Sequence, residues 1–278
     1  MSVLSQMLSV LFSWAGRSLK RSLKRSLLIG VLLPNAQLLV AQNTRITDNN
    51  SIGWLTNTTT LRFTNRWSGH LEYQFRRTGP LSSWQQSLFR TGINYQLSDK
   101  ATLRIGYAFA DTHPYGDYPI QAAGRVFPEH RAYQMLTLNN PVGRVEITHR
   151  FMLEQRWIGR FTQPTSPSPD ETFFVNRLRY MARVTLPLGK PTMADKTPYL
   201  AAYDEILIGF GKNVNENVFD QNRLGLLAGY RFSPIFRIEG GFFQQIVQLP
   251  REITGRNVFQ YNNGFILNTV VGLDLRRR

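Results

Sequence analysis

The sequence predicts an all-β fold, a closed antiparallel transmembrane β-barrel, from three observations. A two-residue alternation of apolar and polar side chains runs, with breaks, from about Trp54 to Leu275. Turn-forming residues cut that alternation into segments whose connections are short and long by turns. The N-terminal residues carry the marks of an export signal. Residues 143–157 display the alternation best. Val145, Ile147, Phe151, Leu153 and Trp157 fall on one side, and Arg144, Glu146, Thr148, Arg150, Glu154 and Arg156 on the other. Successive side chains of a strand point to opposite faces, and at roughly 3.3 Å per residue this segment spans about 45–50 Å, ample for a tilted membrane crossing. Apolar outward and charged inward is the signature of an outer-membrane barrel.

Residues 1–41 read as a signal peptide and residues 42–278 as the outer-membrane β-barrel domain. Arg17, Lys20, Arg21, Lys24 and Arg25 form a basic region ahead of the apolar run 27–40, and cleavage after Ala41 leaves Gln42 first. The strands then follow in order. Leu61–Asn65 continues from Trp54. In the next segment Leu71, Tyr73 and Phe75 oppose His70, Glu72, Gln74 and Arg76. Phe89, Thr91, Ile93 and Tyr95 face away from Arg90, Gly92, Asn94 and Gln96. Beyond the Ser98-Asp99-Lys100 turn, Leu103, Ile105 and Tyr107 oppose Arg104, Gly106 and Ala108. The second half repeats the theme around Arg177, Arg179 and Arg183, around Arg223 and Arg231, around Arg237 and Glu239, and from Phe265 to Leu275. Glu129–Asn139 and Pro198–Gly209 show no clear alternation.

Short connections fall near Arg66–Ser68, Ser98–Lys100, Asn139–Gly143 and Ser233–Pro234, and long ones over 111–128, 158–171, 210–218 and 249–257. Short periplasmic turns and long outer loops follow this pattern. About eleven strands can be traced, and single-chain bacterial barrels carry an even number. The expectation is therefore about twelve, the extra one around Asn43–Thr47, with ten as the alternative. Trp54, Trp67, Trp84, Trp157, Tyr115, Tyr118 and Tyr199 fall near predicted strand ends, where interfacial girdles form.

The chain has no cysteine, which removes disulfides and thiolate metal sites. No segment after the leader is apolar enough for a membrane helix, and mean hydropathy is −0.27. The formal charge is +15, and removal of the five leader cations leaves +10. The basic side chains sit on strand faces and no nucleic-acid-binding motif occurs, so nucleic acid is not an expected partner. The expected partners are outer-membrane lipids, lipopolysaccharide included, and the barrel-assembly machinery during biogenesis. No cofactor and no metal is expected.

The inward-facing candidates for lumen or substrate contact are Arg90, Arg104, Arg144, Glu146, Arg150, Glu154, Arg156, Arg177, Arg179, Arg223, Arg237 and Glu239. Two readings of this set stand side by side. One is an Arg–Glu network that plugs the interior through bidentate pairs. The other is a passive, porin-like passage for small anionic solutes, since arginine outnumbers glutamate. A third alternative is a lipid-modifying enzyme of the acyl hydrolase or transferase type. Its best pair would be His130 with Glu205, although no Gly-x-Ser-x-Gly elbow accompanies it.

Several short motifs occur in series. Arg90-Thr91-Gly92-Ile93-Asn94-Tyr95-Gln96-Leu97 precedes Leu103-Arg104-Ile105-Gly106-Tyr107 and Glu129-His130-Arg131. Glu154-Gln155-Arg156, Asn176-Arg177-Leu178-Arg179-Tyr180, Asp204-Glu205 and Phe219-Asp220-Gln221-Asn222-Arg223 follow. In order and spacing the series resembles DUF2490, a family of Gram-negative outer-membrane barrels. The resemblance covers nearly all of the mature chain. It implies a barrel in the outer membrane and no established activity.

Overall fold

A computed structural model describes residues 45–79, 81–214 and 217–276. The leader reading for residues 1–41 lies outside the described residues. Among these residues eleven strands follow one another: β1 (Arg45–Arg62), β2 (Trp67–Thr78), β3 (Ser83–Ser98), β4 (Ala101–Thr112), β5 (Phe127–Val142), β6 (Val145–Arg160), β7 (Glu171–Pro187), β8 (Thr197–Phe210), β9 (Phe219–Arg231), β10 (Phe236–Ile253) and β11 (Arg256–Asp274). Each pairs antiparallel with its chain neighbour, and β1 pairs with β11 to close the barrel.

The expectation of twelve strands, or ten, is corrected to eleven. With strands alternating in direction, an odd number leaves the first and last pointing the same way. The closing pair is accordingly parallel, from Arg45 beside Asn257 to Arg62 beside Asp274. Among the described residues no separate strand precedes β1, and Arg45–Thr47 of the expected extra strand belong to β1 itself. Asp48-Asn49-Asn50-Ser51, residue types that favour turns, stay extended because each lies opposite a β11 residue from Gln260 to Asn263. Parallel pairing is slightly weaker per residue than antiparallel pairing. Here it runs the full 18 residues of β1.

Connections at one rim, called the turn rim, cover 63–66, 99–100, 143–144, 188–196 and 232–235, and those at the other, the loop rim, cover 79–82, 113–126, 161–170, 211–218 and 254–255. Three long loops are therefore where the alternation puts them, but 249–257 is not a loop. Strand β10 runs to Ile253 and turns back through Thr254 (φ 50°) and Gly255 (φ 71°), a two-residue hairpin whose central residues are both left-handed. Pro250, which has no N–H to give a ladder, sits in the register shift between Gln248 and Glu252.

The outer wall is apolar: Leu71, Phe89, Ile105, Leu178, Leu226 and Phe242 are all exposed there. The inner wall holds the buried charge. Strands β5 and β8 occupy the two stretches without clear alternation. In β8 the inward Tyr199, Ala201, Tyr203 and Leu207 are as apolar as the outward Leu200, Ala202 and Ile206, so no contrast reaches the sequence. Tyr199 and Tyr203 lie across Gly229 and Gly225 of β9, where a Cβ would stand 2.3 Å from a ring atom. Three of the expected girdle aromatics point elsewhere. Trp54 and Tyr199 are buried inside the barrel, with Ile52, Phe243 and Ile266, and Tyr115 is buried in the 113–126 loop. Trp67 and Trp157 are exposed on the outer wall.

Candidate functional site

Strand alternation turns the predicted arginines and glutamates inward, and the register sets them at matching heights. Glu154 on β6 lies opposite Arg177 on β7. Arg177 donates through Nε to Glu154 at 2.7 Å and through Nη1 to Asp220 at 2.6 Å. Arg179 reaches Glu154 at 3.0 Å and Glu205 at 2.8 Å. Arg150 and Arg223 complete the surround of Glu205, at 2.8 and 3.4 Å. On the neighbouring strands Arg131 and Arg156 both grip Glu129 in a bidentate manner. Arg156 also lies 3.8 Å from Asp220, which joins the two groups into one chain of charges. Bidentate guanidinium–carboxylate pairs are the strong form of this interaction.

The rest of the cross-section is filled by an aromatic arrangement. The guanidinium of Arg76 lies 3.8 Å over the Trp54 ring, with Arg223 at 5.3 Å and Phe243 packed at 4.4 Å. Trp54 Nε1 donates to Gln85 at 2.6 Å. The layer is dry: Glu154 is 0% exposed, Arg177 1%, Glu205 2% and Trp54 3%.

At the loop rim the 113–126 segment folds inward over this layer. Asn262 donates to the Tyr115 hydroxyl at 3.0 Å, Arg251 to the Pro119 carbonyl at 2.8 Å and Gln260 to the Tyr118 carbonyl at 2.9 Å. Ile120 packs beside Phe127, Ile158 and Phe161. Burial raises the Tyr115 phenol above its ordinary range, against the hydrogen bonds of Gln85 and Asn262, so it stays neutral. Between this loop and the charged layer lies a cavity of about 130 Å³. On the other side, toward the turn rim, lies an inner chamber of about 510 Å³. Arg223 lines both.

The inner chamber gathers the remaining candidates. Arg90 donates to Glu72 at 2.8 Å, and His70 Nε2 stands 3.3 Å from the same carboxylate. Arg183 holds Glu239, which also accepts from Tyr199 at 2.9 Å and Asn268 at 3.1 Å. Arg104 donates to the Asn94 side chain at 2.5 Å and forms no ion pair among the described residues. Arg237 and Glu146 line the chamber and form no ion pair among the described residues. Arg144 is not in the lumen. It sits in the turn after β5 and donates to the Pro187 and Lys190 carbonyls at 3.2 Å each.

The proposed catalytic pair is not brought together. His130 lies on the outer wall with Nδ1 2.5 Å from the Tyr107 hydroxyl, whereas Glu205 is enclosed in the lumen. The strand wall separates them. Several lumen residues escaped the sequence reading. Asp220 turns inward because β8 and β9 slip register between Leu207 and Ile208, opposite the start of β9. Glu129 and Arg131 flank the outward His130, but β5 mixes charged and apolar residues on its inner face, so no clear alternation marks them in the sequence. Trp54 and Phe243 are apolar side chains on a polar face, and residue type points them outward even though Phe243 shares its parity with Glu239 and Gln245.

Comparison with curated proteins and with solved structures gave no match. A family model described as "Protein of unknown function (DUF2490)" matches residues 52–255, from the middle of β1 to the β10–β11 turn. That match covers well over half of the chain, and the protein therefore belongs to the DUF2490 family of unknown function.

Proposed function

We propose that this protein is an outer-membrane β-barrel whose lumen is closed to the passage of solutes. The membrane assignment is supported by the inversion of the usual arrangement, since large apolar side chains cover the outer wall and charge is buried within. The basic and apolar leader composition supports export. The observation that carries the closed lumen is the dry layer from Glu129 to Glu205, in which each carboxylate is held by at least two arginines. An ion moving through would have to separate these pairs in a water-poor interior, where Coulomb attraction is least screened. The 113–126 loop adds a second closure. Outer-membrane lipids, lipopolysaccharide included, surround the wall in this reading, and the barrel-assembly machinery inserts it.

The test is single-channel conductance of the refolded, heat-modifiable protein in a planar bilayer. The wild type is expected to be silent. A Trp54→Ala, Arg223→Ala double variant removes the wall between the two cavities and is expected to give small steps, the more so without residues 114–125. Steady anion-selective steps from the wild type would favour the passage instead and overturn the closed lumen.

A further inference from the structure

We infer that the inner chamber is a binding site for a small amphiphile with one anionic head. The inference rests on the closed lumen, because the charged layer makes the chamber blind at its upper end. Its volume of about 510 Å³ falls within the 300–1,000 Å³ of ordinary ligand pockets. The walls differ in chemistry. Along β2–β6 stand His70, Arg90, Arg104 and Arg150, with Met135 and Met181 paired beside Arg104 and Arg150, and an apolar patch of Trp54, Met193, Phe243 and Ile266 lies among the charged residues of the remaining wall. Met193 comes from the 188–196 connection and packs against the apolar cluster from below.

Charge in the chamber is unbalanced in favour of anions. Seven arginines and four glutamates line it. Glu72, Glu205 and Glu239 are already held by Arg90, by Arg150 with Arg179 and Arg223, and by Arg183. Arg104 donates to a neutral amide and makes no ion pair among the described residues, with Glu72 as well as Arg90 and Arg150 nearby. Buried donors also lack acceptors. Arg90 is 3% exposed, yet its Nε and that of Arg150 have no hydrogen-bond partner among the described residues. Unpaired buried donors are costly, and a carboxylate or phosphate brings the acceptor oxygens they lack. The entrance is at the turn rim, where the inward-facing Arg237 is exposed. An acid group drawn in past Arg237 would come to rest by Arg104, with its alkyl part along Phe243, Ile266 and Met181.

Trp54 lines the chamber and reports on it. Trp14, Trp67, Trp84 and Trp157 are replaced by Phe, and the protein is placed in lipid nanodiscs. It is then titrated with brominated octanoate, brominated octyl phosphate and brominated octanol. Saturable quenching of Trp54 by an acid, at least about ten-fold tighter than by the alcohol, is the expected result, since charge-assisted bonds are the stronger ones. The tighter of the two acids identifies the head as carboxylate or phosphate. Arg104→Gln is expected to weaken binding about ten-fold, the size of one charge-assisted bond. Arg237→Gln, at the exposed rim, supplies a second variant whose folding does not depend on buried charge. Equal saturation by the alcohol, or titrations unchanged in both variants, overturns the inference. Conductance in the bilayer assay would refute the closed lumen and leave this titration to be judged separately.

Discussion

Glu205 is the residue on which most of the layer converges, with Arg150, Arg179 and Arg223 all directed at its two oxygens. Removing one member of a buried ion pair strands the charges that remain, at a cost of about 3–5 kcal/mol. Glu205→Gln is therefore expected to lower the unfolding free energy by that amount in urea titrations of the lipid-reconstituted protein. Asp274→Asn offers the contrast. Asp274 and Arg276 form a pair half-open to solvent, and exposed pairs contribute little to stability, so a far smaller effect is expected. Equal effects from the two substitutions would show that the layer is not dry. At this scale much was legible. The inward direction of Arg90, Arg150, Arg177 and Arg179 follows from alternation alone. Their partners do not, because pairing depends on register and on the height of each strand. The Arg104 and Arg237 side chains looked no different from the others in sequence, and only their lack of a carboxylate sets them apart. Trp54 and Tyr199 were misplaced because an aromatic residue serves a membrane girdle and a lumen filling equally well.

The elements obey alternation where the two faces differ and escape it where they do not. Strands β2, β3, β6 and β7 carry arginine or glutamate inward and leucine, phenylalanine or tyrosine outward, so each was readable. Strand β8 presents apolar residues on both faces and was not. The 113–126 loop was read as a long connection, but nothing local announces that Tyr115 would fold into the barrel. Its partners Asn262, Gln260 and Arg251 lie more than a hundred residues away. The 161–170 loop is held by one of its own side chains as well as by Arg125, which donates to the Pro164 and Ser166 carbonyls. The Thr162 amide and the hydroxyls of Ser166 and Thr162 donate to Asp170 and hold its carboxyl below the ordinary aspartate range. A carboxyl whose folded pKa is depressed contributes its stabilisation above the unfolded pKa of about 3.9 and loses it as pH falls through the folded value. Exchange of the Thr162 amide with deuterium is thus expected to be protected near neutral pH and faster in acid. Asp170→Asn should lower the protection at neutral pH and flatten its change with pH. A pH-independent wild type would place the loop's order elsewhere.

Across the whole molecule, the count of strands decides where the ends of the sheet emerge. β1 starts at the loop rim and β11 finishes at the turn rim. With the turn rim facing the periplasm, an epitope inserted between Thr44 and Arg45 is expected to bind antibody on intact cells, and one following Arg276 only after permeabilisation. Labelling of both under the same condition would contradict the parallel closure. The barrel class and the polar lumen were legible because the membrane-type alternation repeats along the chain. The odd count was not. Single-chain bacterial barrels carry even numbers as a rule, and nothing in the residues of β1 announces that it closes in parallel on β11.

The parallel seam also sets the order in which the barrel forms. Ten of its pairings join strands adjacent in the chain and run antiparallel. The eleventh joins positions more than two hundred residues apart, and no hairpin can nucleate it. Loop-closure entropy grows with the chain enclosed, and such long-range contacts form late. Assembly therefore passes through an open, curled sheet with two bare edges, β1 and β11, each able to pair with a strand of another protein. The joining of these edges is the expected slow step. Once zipped over the full length of β1, they part only when a whole strand's worth of bonds is broken together, so the finished barrel resists unfolding by the same feature that delays its completion.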